Sequence, residues 1–252
     1  MDVNAYLDRI NYTGSLAPSA ETLCGLHMAH LMSVPFENLD IPLRRPIVLA
    51  EAALFNKIVE RRRGGFCYEL NGLFAWLLRE LGFNVQMLSA GVMSRDGQFG
   101  PEFDHMTLLV TLEQRWLADV GFGDSFREPI LLDERREQPQ DERAYRLDAD
   151  GSHLILMQRE RDGHWEAQYR FTLQPRQLAD YQEMCLYQQT SPQSSFTQRR
   201  ICTRATPDGR ITLSDMRLIT TVNGTRTERT LADSAEYTRM LQENFGIDLN
   251  LP

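Results

Sequence analysis

The stretch RGGFCYELNGLFAWLLRELG, residues 63–82, carries two signals at once. Leu70, Leu73, Phe74, Leu77, Leu78 and Leu81 recur at the spacing of a helix with one apolar face, and Gly82 supplies its stop. Cys67 opens that helix behind Gly64-Gly65-Phe66, three residues before Leu70 and so on the face that should be buried. A thiol at a helix N-terminus meets the positive end of the helix dipole and unpaired backbone N–H groups. Both favour the thiolate, and the thiolate is the nucleophile. The two glycines would let the backbone approach a substrate closely, and the same N–H groups can hold an oxyanion. By position alone, Cys67 is either a reactive thiol or a core cysteine on a packed helix.

Outward from this helix the chain changes period. Before it, Ser19 is placed to cap a helix running to about Met32, and a second helix fits Glu51 to Arg62. Between them VPFENLDIPLRRP reads as a loop, marked by three prolines. After it, Val85–Met93, His105–Leu112, Trp116–Val120, Tyr145–Leu147, His153–Arg159 and Trp165–Leu173 read as strands, with the polar stretch Asp133–Arg143 as a surface loop. A helix from about Pro175 to Gln188 bridges to strands near 199–205, 210–222 and 225–231. Pro207-Asp208-Gly209 and Asn223-Gly224 are their hairpin turns. Asp233, with Glu236 in the capping-box position, starts a last helix that ends before Gly246. Helices, then an antiparallel sheet, then a mixed unit make an α+β protein, not a wound βαβ sheet.

Composition narrows the function. With 252 residues, 42% hydrophobic and 25% charged, the chain is an ordinary globular one with ample core. No apolar run reaches the ~20 residues of a membrane span, and the start MDVNAYLDRI lacks the pattern of a signal peptide, so a cytoplasmic protein without a membrane partner is expected. The net charge of −8 and the absence of a basic stripe argue against a nucleic-acid partner. Arg61-Arg62-Arg63 reads as the solvated end of a helix. Lys57, the only lysine, lies in no Gly-rich loop, which removes a phosphate-binding P-loop. Cys24, Cys67, Cys185 and Cys202 form no C-x-x-C pair, so no metal site is expected. In a reducing compartment three of them are small buried hydrophobes.

A nucleophilic cysteine needs a base, and the base an orienting group. His27 and His30 look like half a metal site without partners, and partial exposure is the expectation for both; His153 begins a strand and His164 sits in a turn. His105 differs. In FDHMTLLVTL, Met106, Leu108, Val110 and Leu112 take one strand face, and His105, Thr107, Leu109 and Thr111 take the other, less apolar one. Asp119, between Ala118 and Val120, is costly to bury without a partner. If the two strands form a hairpin, one register sets Asp119 opposite His105. The other same-face register sets it opposite Thr107, diagonal to His105. Either permits a Cys–His–Asp triad in which the acid fixes the imidazole tautomer.

RGGFCYELN at 63–71 resembles the signature of the arylamine N-acetyltransferases. VPFENL at 34–39, FDHM at 103–106, DVGFG at 119–123 and SPQSSF at 191–196 match further family segments in order, so the likeness covers nearly the whole chain. It implies a helical bundle (residues 1–83), an antiparallel β-barrel (84–174), a connecting helix and loop (175–198) and a shortened α/β lid (199–252), around a core similar to that of cysteine proteases. It implies Cys67 as acyl-carrying nucleophile, His105 as base and Asp119 as its orienter. Phe36, Phe122 and Phe196 would line the acceptor pocket, and Gly121 and Gly123 would let coenzyme A approach the backbone. The implied reaction is ping-pong transfer from acetyl-CoA to an aromatic amine or hydrazine, with no metal. Three rivals share these residues or this fold: a cysteine hydrolase, an amide synthase of natural-product assembly, and a binding module that kept the fold. The last helix is followed by few residues, alternating Ile247, Leu249, Leu251 before Pro252, so a short extended end and a more open cleft are expected.

Overall fold

The computed structural model describes residues 1–161 and 163–249. Leu251 and Pro252, part of the expected extended end, lie outside them. Four helices form the first part: α1 (Val3–Arg9), α2 (Ala20–Ser33), α3 (Glu51–Phe55) and α4 (Cys67–Glu80). The Ser19 hydroxyl accepts the Thr22 N–H, as its capping position predicts. Helix α1 is not evident from sequence because seven residues give too few turns for a periodic signal. Helix α3 runs on into a π-helical turn at Asn56–Glu60. Helix α4 is covered on every side, with twelve of its fourteen residues buried, rather than on one face. Helices α1 and α3 pack on one flank of it, and strands β2 (Asn84–Val92) and β3 (His105–Thr111) on the other.

The loop after α2 is less plain than its prolines suggest. It contains a short strand β1 (Phe36–Glu37), and its acids meet two buried cations. Arg63 pairs with Glu37 at 2.7 Å and Asp40 at 3.1 Å. Lys57 pairs with Asp40 and with Glu69, both at 2.8 Å. The expectation of a solvated Arg61-Arg62-Arg63 therefore fails at Arg63, which is buried, while Arg61 and Arg62 are exposed. Removing one partner from such a cluster strands a buried charge. Lys57→Met, which keeps the stem but leaves Glu69 unpaired, should lower stability by about 3–5 kcal/mol. Urea unfolding would read this as an earlier midpoint, and an unchanged midpoint would show that Glu69 finds another partner.

Eight strands make an antiparallel sheet in the order β5-β4-β3-β2-β9-β8-β7-β6. The remaining ones are β4 (Arg115–Ala118), β5 (Ile130–Leu131), β6 (Gln138–Gln140), β7 (Arg143–Asp150), β8 (His153–Glu160) and β9 (Glu166–Arg176). Its two edges are joined by side-chain amides. The Gln138 amide accepts from Leu131 N–H at 2.7 Å and donates to Leu131 C=O at 3.0 Å. Gln140 accepts from Arg127 N–H at 2.9 Å and donates to Glu128 C=O at 2.7 Å. The result is a nearly closed barrel. The stretch Asp133–Arg143, expected as loop, thus holds β6 and the start of β7; Gln-Pro-Gln has no apolar alternation to betray a strand. Leu109 faces the barrel interior with Leu88, Tyr145, Tyr169 and Phe171, while Met106, Leu108 and Val110 face α4. The alternation in β3 is therefore as read.

A second sheet, β1-β10-β11-β12-β13, carries the last helix α7 (Ser234–Phe245). The span 210–222, expected as one strand, is two: β11 (Gly209–Ser214) and β12 (Arg217–Val222). They turn at Asp215, whose φ is 49°. Strands β10 (Ile201–Thr206) and β13 (Thr225–Thr230) flank them. Asn223 and Gly224, at φ 47° and 78°, make the tight β12–β13 turn. Asp233 caps α7 through Glu236 N–H. The helix expected from Pro175 starts later. Pro175 still lies in β9, which ends at Arg176, and a 3₁₀ turn (Leu178–Tyr181) leads into α5 (Gln182–Thr190) and a short α6 (Ser195–Gln198). Among the described residues no helix is long and apolar enough to cross a membrane.

Candidate active site

Cys67 is the first residue of α4 and is 4% exposed. The Glu69 carboxylate reaches back to Phe66 N–H at 3.1 Å, and Glu69 and Leu70 N–H groups bond to Phe66 C=O. Among the described residues, the Cys67 and Tyr68 N–H groups are left without partners at the head of the helix. The Gly64-Gly65 pair serves packing more than substrate approach. A Cβ on Gly64 would lie 1.9 Å from Pro35 C=O, and Gly65 C=O accepts Glu37 N–H at 2.9 Å. The turn before Cys67 is thereby pinned to β1.

His105 is the first residue of β3, and its Nε2 lies 2.7 Å from Asp119 Oδ2. Strand β4 pairs Ala118 with Leu108, so the register is the one that sets Asp119 diagonal to His105. Strand β4 ends at Ala118, and Asp119 follows it rather than lying within it. Its other oxygen accepts Asn71 Nδ2 at 2.8 Å and Gly121 N–H at 3.0 Å. Burial pushes this carboxyl up, but His105, Asn71 and the Gly121 N–H more than offset it and hold it below the ordinary range. An ionised Asp119 takes the Nε2–H, which leaves His105 Nδ1 as the lone-pair nitrogen.

The thiol and the imidazole are brought to one place from two elements. The backbone N–H of Met106, next to His105, favours the Cys67 thiolate. Asn71, one turn along α4 from Cys67, donates to Met106 C=O at 2.7 Å and accepts Val120 N–H at 2.9 Å. A Cβ on Gly121 would lie 2.9 Å from Cys67 Cα. Among the described residues no hydrogen bond joins Cys67 Sγ to His105. Burial pushes the Cys67 thiol up, Asp104 and Asp119 add to that, and the Met106 N–H opposes it. The helix terminus and a protonated His105 act in the same direction as that N–H.

The remaining predicted residues surround this centre. Phe122 packs edge-on to His105, ring centroids 5.2 Å apart. Phe36 and Phe196 lie 6.1 Å apart, and Phe196 is 5.6 Å from Phe66, the residue before Cys67. All three are half-buried. Gly121 is occupied on its Cβ side by Cys67 and Asn71. Gly123, at φ 91°, is less crowded: the nearest atoms to a Cβ there belong to the Phe36 ring, at 3.6 Å and beyond. Beyond it, a cavity of about 840 Å³ is lined by Arg127, Arg143 and Arg210. Asp124 holds Arg143 and Arg210, and Arg127 holds the carbonyls of Pro207 and Gly209, so these arginines tie the barrel to the second sheet.

Two buried residues that hold the site were not anticipated from sequence. Asn71 carries a usable signal: it is a polar residue four after Cys67, on the same face of a helix with a strong apolar repeat. His27 does not. It was expected to be partly exposed, as was His30, and both are fully buried. His27 Nδ1 lies 2.7 Å from Arg127 C=O, and its Nε2 accepts Asp119 N–H at 3.1 Å.

Comparison with known proteins bears on this arrangement. A family model described as N-acetyltransferase matches residues 19–252. An arylamine N-acetyltransferase of Escherichia coli is 38% identical over 98% of this chain and 89% of its own length. An arylamine N-acetyltransferase / N-hydroxyarylamine O-acetyltransferase of Salmonella typhimurium is 36% identical over the same shares, 98% and 89%. Among solved structures, the Salmonella typhimurium arylamine N-acetyltransferase superposes with a TM-score of 0.93 at 36% identity, covering 98% of this chain and 92% of that one. The Mycobacterium marinum arylamine N-acetyltransferase in complex with CoA gives 0.91 at 34%, covering 98% and 93%.

Proposed function

The chain belongs to the arylamine N-acetyltransferase family, and we propose that it moves acetyl from acetyl-CoA to an aromatic amine or hydrazine by way of a thioester on Cys67. The observation that carries this reading is the His105–Asp119 pair, 2.7 Å apart and set beside a cysteine at a helix head. In the resting enzyme the Cys67 proton rests on His105 Nδ1, because the buried Asp119 carboxylate stabilises positive charge on that ring. Cys67 Sγ attacks the thioester carbonyl, and the Cys67 and Tyr68 N–H groups face the oxygen that becomes negative. The tetrahedral centre collapses, and His105 hands its proton to the departing thiolate of CoA. The bond made and the bond broken are both thioesters, so this half-reaction is nearly balanced. An aryl amine or hydrazine, uncharged near neutrality, then attacks the acetyl carbon. His105 Nδ1 takes its proton, and Cys67 leaves as thiolate.

Phe36, Phe122 and Phe196 would present flat apolar walls to the acceptor and help keep water from the thioester. Gly123 rather than Gly121 has room for CoA beside the backbone, since Cys67 and Asn71 fill the side of Gly121. We read the second sheet and α7 as the lid, the core around Cys67 as similar to that of cysteine proteases, and the protein as cytoplasmic. Initial rates with acetyl-CoA against an aryl amine, a hydrazine and a hydrazide test the scheme. Parallel double-reciprocal lines are expected. Intersecting lines would mean a ternary complex and no free acetyl-enzyme. Turnover of esters or peptides without CoA would favour a hydrolase.

A further inference from the structure

We propose that His27 is a positioning residue for the catalytic carboxylate, standing in for the strand partner that Asp119 lacks. This rests on the reading of Cys67, His105 and Asp119 as a triad. The β3–β4 ladder stops at the pair Leu108 and Ala118, so the backbone of residues 119–121 leaves the sheet where its geometry matters most. Each of the three N–H groups in that segment is instead held by a side chain. Asp119 N–H donates to His27 Nε2 at 3.1 Å, Val120 N–H to Asn71 at 2.9 Å, and Gly121 N–H to Asp119 itself at 3.0 Å. His27 anchors the end of the segment from which the carboxylate projects.

The tautomer is determined by the same contacts. Nδ1 faces the Arg127 carbonyl at 2.7 Å and must be the N–H, so Nε2 is the acceptor that Asp119 N–H requires. The ring is clamped against rotation: it stacks on Phe126 at 5.7 Å and 16° and meets Phe74 edge-on at 6.1 Å. Burial pulls its pKa down to about 4, against the pull of Arg127 C=O and of Asp119, so it stays neutral where the enzyme works. Among the described residues, the ring of His30, one turn further along α2 and also pulled down by burial, hydrogen-bonds only to Tyr6, at 2.9 Å, and has no hydrogen bond to the catalytic segment. Two histidines that look alike in sequence therefore have different work. The Arg127 side chain also continues the chain of contacts to Pro207 and Gly209 in the β10–β11 turn.

The test compares His27→Phe, His27→Gln and His27→Asn with Asp119→Asn as the reference. Three quantities are read: the single-turnover rate at which Cys67 is acetylated, the pH midpoint of its alkylation by iodoacetamide, and KM for acetyl-CoA. His27→Phe should slow acetylation roughly 10- to 100-fold, raise the alkylation midpoint, and leave KM for acetyl-CoA unchanged. A glutamine amide reaches where Nε2 was and can accept Asp119 N–H. An asparagine amide reaches only where Nδ1 was and serves Arg127. His27→Gln should therefore recover most of the rate, and His27→Asn should not. This comparison stands even if His27→Phe is insoluble. Equal rates in the Gln and Asn variants would overturn the proposal. So would an alkylation midpoint that Asp119→Asn moves and no His27 variant does, since His27 would then only fill space. If Asp119→Asn also leaves the midpoint in place, the triad reading fails and His27 has nothing to position.

Discussion

Replacing Cys67 by alanine is expected to abolish acetyl transfer, with a loss of roughly 10⁴-fold or more. Intact mass should show one added acetyl when the native chain meets acetyl-CoA without acceptor, and none in the variant. The other thiols are poor substitutes. Cys185 and Cys202 are buried, and burial pushes the first up to about 12 and the second well up. Cys24 is also raised, by partial burial and by Glu128. None of the three opens a helix: Cys24 and Cys185 lie within α2 and α5, and Cys202 lies in β10. An acetyl group located on any of them, or full activity in the alanine variant, would remove Cys67 from the chemistry. The variant should fold, because Cys→Ala removes a single atom at the rim of a well-filled core.

Asp119→Asn should slow acetylation by roughly 10³- to 10⁴-fold, and the hydrogen bonds around Asp119 say why. The native carboxylate only accepts: from His105 Nε2 on one oxygen, and from Asn71 and Gly121 on the other. An amide has one accepting end. If its NH₂ faces His105, Nε2 must become the acceptor and the proton moves to Nδ1, the nitrogen that should take protons. If its NH₂ faces Asn71 and Gly121, two donors meet a donor in a buried site and the segment shifts. The alkylation profile separates this from misfolding. In the native enzyme the proposed mechanism, which puts the Cys67 proton on His105, requires a rate flat through neutrality with a midpoint well below pH 7. In the variant that support is lost, and burial, Asp104 and the low-polarity surroundings should carry the midpoint toward or beyond that of a free thiol, about 8.5. A native midpoint at or above that value would exclude the resting ion pair. Soluble yield has to be matched first, since a buried ionised group is being removed.

What could be read from the sequence follows the range of each signal. Helix α4 declares itself by period, and β3 by alternation. Helices before strands give the α+β class and its antiparallel sheet. The pairing of His105 with Asp119 needed only a hairpin and a face, which is why two registers stood open and both served. Non-local partners were out of reach. That Arg63 turns inward depends on Glu37 and Asp40 across a loop. The burial of His27 depends on Arg127 and Asp119, which arrive from the connection between β4 and β5. The barrel seam rests on the amides of Gln138 and Gln140, in a stretch polar enough to look like solvent-facing loop. Short pieces were lost for want of length: α1, β1, and the turn at Asp215 that divides 210–222.

Lys57 has a consequence outside stability. An enzyme that holds acetyl as a thioester carries a reagent able to acylate any neutral amine within reach, its own surface included. Every other one of the 27 Lys and Arg side chains here is an arginine, whose guanidinium stays protonated and is no nucleophile. The single ammonium is enclosed between Asp40 and Glu69, both at 2.8 Å. Burial pulls its pKa down, but Glu69, Glu37 and Asp40 pull it further up, so it offers no lone pair. The chain therefore presents no side-chain amine through which it, or a neighbouring copy, would label itself with its own activated acyl group.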